Sequence, residues 1–215
     1  MVNTTRENTT KWLVASILLL LTVGMSVPAH AQQNANARQA RQMFDQVYQM
    51  VFGPQGSTLH YAVNIIGIYK TEGTIWYKGK KSKFVDEKLN VWCDGKDYWM
   101  VNRKKRTVTV YDATAEERDK YATKFTFEPD NYNYSIKADD KHYIITLKAK
   151  KSVKGIKEAT AYLNKKTRHP ESLRIKVGVF HTTIRVSNFQ SGGISDGTFV
   201  FPKKKYEGYQ LIDKR

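Results

Sequence analysis

Hydrophobic positions change their spacing once along this chain, and the change divides it. Ala40, Met43, Phe44, Val47, Met50 and Val51 recur at helical intervals, which predicts one amphipathic helix stopped by Gly53-Pro54. From Thr58 onward the period becomes two. Leu59, Tyr61, Val63 and Ile65 alternate with His60, Ala62 and Asn64, as on a strand between two environments. Further strands are predicted at 74–78, 83–87, 89–93, 96–101, 107–111, 132–137, 143–148, 158–164, 172–177, 180–189 and, last, Thr198 to Phe201. Asp94-Gly95 reads as a two-residue hairpin turn, placing Val91 opposite Tyr98 and Leu89 opposite Met100. Thr114-Ala115-Glu116-Glu117 reads as a capping box that starts a short helix.

The fold class is therefore mainly β (α+β): roughly ten or eleven strands in antiparallel order, with an N-terminal helix and a short second helix. Two short helices cannot cover the apolar face of so long a sheet. The sheet either curls on itself into a packed core or leaves an apolar pocket suited to an acyl chain.

Before the helix lies a different kind of segment. Arg6 and Lys11 precede an apolar run from Leu13 to Val27, followed by Pro28 and Ala29-His30-Ala31. This is the layout of a secretory signal peptide cleaved after Ala31, with residues 32–215 as a single exported domain. No cysteine stands at the cleavage point for lipid anchoring. The lone Cys93 cannot form an internal disulfide, so the fold rests on its core.

The formal net charge is +16, and nearly all of it lies beyond residue 31. Export argues against nucleic acid as the partner. Lys80, Lys81 and Lys83, then Arg103, Lys104 and Lys105, fall near predicted turns. They read either as solvated turns or as a basic rim that meets anionic headgroups or an acidic partner. The histidines show no metal-ligand spacing, and there is no Gly-x-Ser-x-Gly elbow or phosphate loop. No catalytic residue, metal or cofactor is expected, and the chain is not read as an enzyme.

Several ordered motifs resemble the periplasmic lipoprotein carrier (LolA) family of Gram-negative bacteria. They are Glu72-Gly73-Thr74-Ile75-Trp76-Tyr77-Lys78, then Phe84, then Asp94-Gly95-Lys96-Asp97-Tyr98-Trp99, then Thr198-Phe199-Val200-Phe201-Pro202 with Leu211-Ile212-Asp213. The resemblance implies a half-open antiparallel β-barrel with helices as a lid. It implies a monomeric periplasmic chaperone that holds the acyl chains of lipoproteins and ferries them from the inner to the outer membrane. Its partners would be acylated lipoproteins as cargo, an inner-membrane lipoprotein-releasing ABC complex, and an outer-membrane acceptor that the sequence does not identify. The alternative is a lipoprotein- or lipid-sensing regulatory or interaction module of the same fold.

Joining the resemblance to the periodicity gives an expected cavity lining of Met43, Val47, Ile65, Ile75, Tyr77, Phe84, Val91, Tyr98 and Met100. One departure stands out. Where the family often has Arg-Pro after the second strand, this chain has Gly79-Lys80-Lys81. A lysine keeps the charge but not the planar fork of a guanidinium.

Overall fold

A computed structural model describes residues 35–65, 69–87, 89–115, 128–150, 156–177 and 180–215. The expected signal segment and the capping-box helix from Glu116 lie outside the described residues. Helix α1 spans Ala35–Phe52. Twelve strands follow: β1 Ser57–Ile65, β2 Tyr69–Lys78, β3 Lys81–Asp86, β4 Leu89–Cys93, β5 Asp97–Asn102, β6 Thr107–Asp112, β7 Tyr132–Ala138, β8 His142–Ala149, β9 Ile156–Asn164, β10 Pro170–Val177, β11 Phe180–Ser191 and β12 Gln210–Asp213.

All twelve form one sheet in the order β12-β6-β5-β4-β3-β2-β1-β11-β10-β9-β8-β7. Two meanders, β1–β6 and β7–β11, are joined by the antiparallel pair β1–β11. The edge strands β12 and β7 do not pair with each other, so the sheet stays half-open, as expected. The expectation differs at the C-terminus. Thr198–Phe201 is not a strand: residues 196–199 form a 3-10 turn, opened by Ser195, whose side chain accepts a hydrogen bond from the Gly197 amide. The last strand is β12, and it runs parallel to β6, with Leu211 beside Val108.

The β4–β5 hairpin also differs. Cys93 pairs with Tyr98 and Val91 with Met100, two residues away from the expected register. The cause is Asp94, whose Oδ1 accepts from the amides of Lys96 and Asp97, both at 2.8 Å. That carboxylate organises a wider turn, with Gly95 at φ +96°. A shift of two leaves every side chain on its expected face.

The concave face carries the main core, which includes Tyr61, Ile75, Tyr77, Phe84, Val91, Ile145, Leu147, Leu163, Ile175 and Ile184. Helix α1 lies against this face, packing chiefly on β7 and reaching β1 and β2 at its other end. Both ends are tied. Asn36 bonds the backbone of Ile136 in both directions, Nδ2 to the carbonyl at 2.8 Å and the amide to Oδ1 at 3.0 Å. Arg41 bridges Asp45 within the helix and Asp130 across the gap, at 2.8 and 2.7 Å, and its guanidinium lies 5.2 Å from the Tyr134 ring centre. At the C-terminus, carbonyls left open by the helix end accept from Ser57 Oγ at Val51, from Ser191 Oγ at Met50 and from the Gly79 amide at Phe52.

The convex face has its own small cluster. The chain after Asp196 crosses it, packing Phe201, Tyr206 and Tyr209 on Trp92, Trp99, Val101 and Val108. The Tyr206 hydroxyl meets the side-chain amide of buried Asn90 at 3.0 Å.

Candidate functional site

A cavity of about 120 Å³ lies between α1 and the β8–β11 half of the sheet. Pairing explains why the space is there. One row across the concave face reads Ile145, Ala161, Leu173, Ile184, and the next begins Leu147, Ala159, Ile175. Both rows carry alanine on β9, between larger aliphatic residues. Two methyl groups where Leu or Ile would reach the helix leave room beneath Val47, Tyr48 and Val51. Leu163 and Ile156 extend the wall along β9.

The lining is uncharged. Apart from backbone, its polar atoms are the hydroxyls of Tyr48, Tyr77 and Ser172. Burial pushes the Tyr48 hydroxyl up to about 12. It pushes Tyr77 higher still, with Tyr48 and Tyr98 adding to the effect. Both phenols therefore stay neutral at any ordinary pH. Phe52 packs edge-on against Tyr77 at 4.7 Å between ring centres, closing one end of the space. Such a site can solvate an apolar chain and gives an ionic group no partner.

Of the residues expected to line a cavity, Val47 and Tyr77 do so. Met43, Ile75, Phe84, Val91, Tyr98 and Met100 are buried in the core of the same concave face but are not part of the cavity wall. Ile65 ends β1, and its side chain lies outside the described positions. The β8–β11 wall was missed. Its signal was present in the apolar period of two through Ile145–Leu147, Ala159–Ala161–Leu163 and Leu173–Ile175, with the smallest residues in the middle strand.

The six expected rim residues separate. Lys80 and Lys81 belong to the β2–β3 turn, while Arg103, Lys104 and Lys105 form the β5–β6 turn at the opposite end of the strands. Lys81 and Lys78 both contact Asp196 at 3.1 Å, and they hold its carboxyl below the usual range. The place of the absent Arg-Pro thus fastens the C-terminal segment to the sheet. Arg103 donates to the Glu87 carbonyl at 3.1 Å. Lys83 lies on the convex face between Trp76 and Trp92. Among the described residues no His, Cys, Asp or Glu cluster could hold a metal ion, and no helix is long and apolar enough to cross a membrane.

The architecture is a half-open, mainly antiparallel sheet wrapped on one helix with an apolar cavity between them, which is the fold that the sequence resemblance implies. No protein-family model matches the chain, and no curated protein does. Similarity appears among solved structures. An uncharacterized conserved protein from Thermus thermophilus is 8% identical, superposes with a TM-score of 0.57, and the match covers 82% of this chain and 99% of that one. The lipoprotein LppX of Mycobacterium tuberculosis is 10% identical with a TM-score of 0.45, covering 74% and 98%. A LolA superfamily protein from Nitrosomonas europaea is 8% identical with a TM-score of 0.39, covering 79% and 99%.

Proposed function

We propose that this protein is a periplasmic carrier that shelters the acyl portion of lipoproteins and moves them from the inner to the outer membrane. The observation that carries the reading is the uncharged cavity under α1. In this reading residues 1–31 are removed on export, an inner-membrane ATP-driven releasing complex hands over cargo, and no bond is made or broken.

The size of the cavity sharpens the mechanism. A cavity of about 150 Å³ holds one benzene, so 120 Å³ accepts about five methylene-sized groups. Five methylenes leaving water gain about 4 kcal/mol before the cost of immobilisation. A short stretch of one acyl chain therefore fits as the molecule stands. Cargo with several chains requires α1 to lift from β8–β11; the shorter ties of α1 are at its two ends, and its middle is held to the β9–β10 turn by an exposed hydrogen bond from Arg168 to Gln46 at 3.4 Å.

The test is to recover the protein from its native envelope and examine it by mass spectrometry under non-denaturing conditions. The expected result is co-purified acylated protein, or uptake of an acylated peptide by the emptied form. Protein that is empty and also refuses acylated peptide would overturn the reading.

A further inference from the structure

The pairing register places Trp76, Lys83, Trp92 and Trp99 directly opposite one another on four successive strands. They form a straight row across the convex face, away from the cavity. Three of the four tryptophans in the chain are in this row. The lysine within it is flanked by two indoles, its Nζ 4.7 Å from the Trp76 ring centre and 5.8 Å from that of Trp92.

The C-terminal segment crosses part of this row and adds to it. Phe201 stacks on Trp99 at 4.5 Å with the rings 3° apart, and Tyr206 stacks on Phe201 at 5.5 Å. The exposed lysines 203–205 follow immediately, with Lys203 5.6 Å from the Trp99 ring centre. Burial, and then the charge of Lys205, lower the pKa of Lys83. Two basic runs about a hundred residues apart are thereby gathered round one aromatic cluster, because Arg106 also lies 4.9 Å from the ring centre of Tyr209. Among the described residues, Lys83 and Lys203 to Lys205 take part in none of the ion pairs, which engage Arg41, Lys78, Lys81, His142 and Arg215. Carboxylates do enter the region: Asp97 and Asp213 neutralise Arg215, and Glu207 is exposed beside the lysines. They are outnumbered. The exposed large aliphatic residues of the described chain, Val200 at 65% and Leu211 at 61%, both lie in this same segment.

We propose that the convex face of β2–β5 with the C-terminal segment across it, centred on Trp76, Lys83, Trp99 and Lys203 to Lys205, is a docking surface for a bilayer rich in anionic phospholipid. Unpaired ammonium groups meet the headgroup phosphates, and half-buried indoles with exposed Val200 and Leu211 enter the interfacial layer that aromatic residues favour. A soluble acidic polymer would engage the charges but has no apolar layer for the two aliphatic side chains. The surface faces away from α1, so docking leaves the cavity mouth free.

The test is vesicle flotation with protein recovered from its own cells in the form they make. Vesicles of equimolar phosphatidylethanolamine and phosphatidylglycerol are compared with phosphatidylcholine alone. Binding to the anionic vesicles is expected, with a blue shift of tryptophan emission and loss at high salt. The variant Lys203→Gln, Lys204→Gln, Lys205→Gln is expected to lower partition about a hundredfold, at about fivefold for each of the three charges removed. The corresponding triple arginine variant should retain it. Lys137→Gln, Lys148→Gln, Arg174→Gln makes the same charge change on β7, β8 and β10 and should bind as the parent does. Equal loss in both glutamine variants, equal binding to phosphatidylcholine, or binding to heparin without binding to vesicles would overturn the proposal. None of these substitutions touches the cavity, so failure here leaves the carrier reading standing.

Discussion

The ring of Tyr61 covers Gly73, its partner across the β1–β2 ladder, so closely that a Cβ on Gly73 would sit 2.9 Å from both Tyr61 Oη and Cε1. The Val85 carbonyl oxygen blocks the same position from the other side. With no side chain at Gly73, Tyr61 can lie flat enough to stack on Phe84, at 5.4 Å and 25°. Gly73→Ala is expected to destabilise the protein by about 1–3 kcal/mol, because a backbone oxygen cannot swing aside. Urea unfolding of the variant against the parent measures this.

Filling the cavity should separate stability from binding. Ala161 faces the space under α1 from the middle of its row. Ala161→Phe places an aromatic ring in a volume close to that of one. The expected outcome is an unfolding midpoint at or above that of the parent, with at least about a tenfold loss in affinity for a fluorescent fatty acid. Ala62→Phe, on the other face of the sheet, serves as the control for binding.

Arg41 holds the N-terminal half of α1 to the Asp130 corner, with side chains only 18% and 32% exposed. Arg41→Ala should cost about 1–3 kcal/mol, since a half-buried carboxylate loses its partner. Arg41→Lys should recover little, because a single ammonium cannot span Asp45 and Asp130 while facing Tyr134. Hydrogen exchange of the α1 amides is the readout, and faster exchange is expected from residues 36–44.

The β7–β8 turn is expected to respond to pH in two directions. His142 lies between Asp139, at 3.2 Å, and Glu171, at 3.0 Å. The hydrogen bond to Asp139, aided by Glu171, raises its pKa above 6.5. Its contribution is complete below 6.5 and disappears as the pH rises through the raised value. Asp139 is lowered from 3.8 to about 2 by the Lys141 amide and by the His142 side chain and amide. Its contribution is present above 3.8 and is lost as the pH falls toward 2. The turn is therefore best held between about 4 and 6.5. An NMR titration of His142 should give a midpoint above 6.5, and Glu171→Gln should lower it.

Element type was legible wherever the period was clear. The helix ended at Gly53-Pro54 as its sequence predicts, and the strands from β1 to β11 fall where apolar residues alternate. Register was less legible, because the Asp94 carboxylate competes for amides that the Asp94-Gly95 pattern assigns to a tighter turn. Thr198–Phe201 alternates like a strand, but Ser195 caps a 3-10 turn there and Phe199 is buried by itself. The cavity was misjudged for a different reason. Periodicity reports which face a residue occupies, not which half of a sheet the helix leaves unfilled. That depends on the alanines of β9 meeting α1 in space, and no local pattern encodes it.

The bonds between Asn36 and Ile136 have a consequence for molecules at high concentration. A sheet that does not close must end in two strands with unsatisfied backbone groups, and such borders recruit further strands into aggregates. Here the side-chain amide of Asn36 occupies Ile136 of β7 as a neighbouring strand would. The opposite border is a four-residue strand followed by Lys214 and Arg215, too short and too charged to template another chain. The opening that leaves room for a ligand is thereby kept from becoming a site of polymerisation.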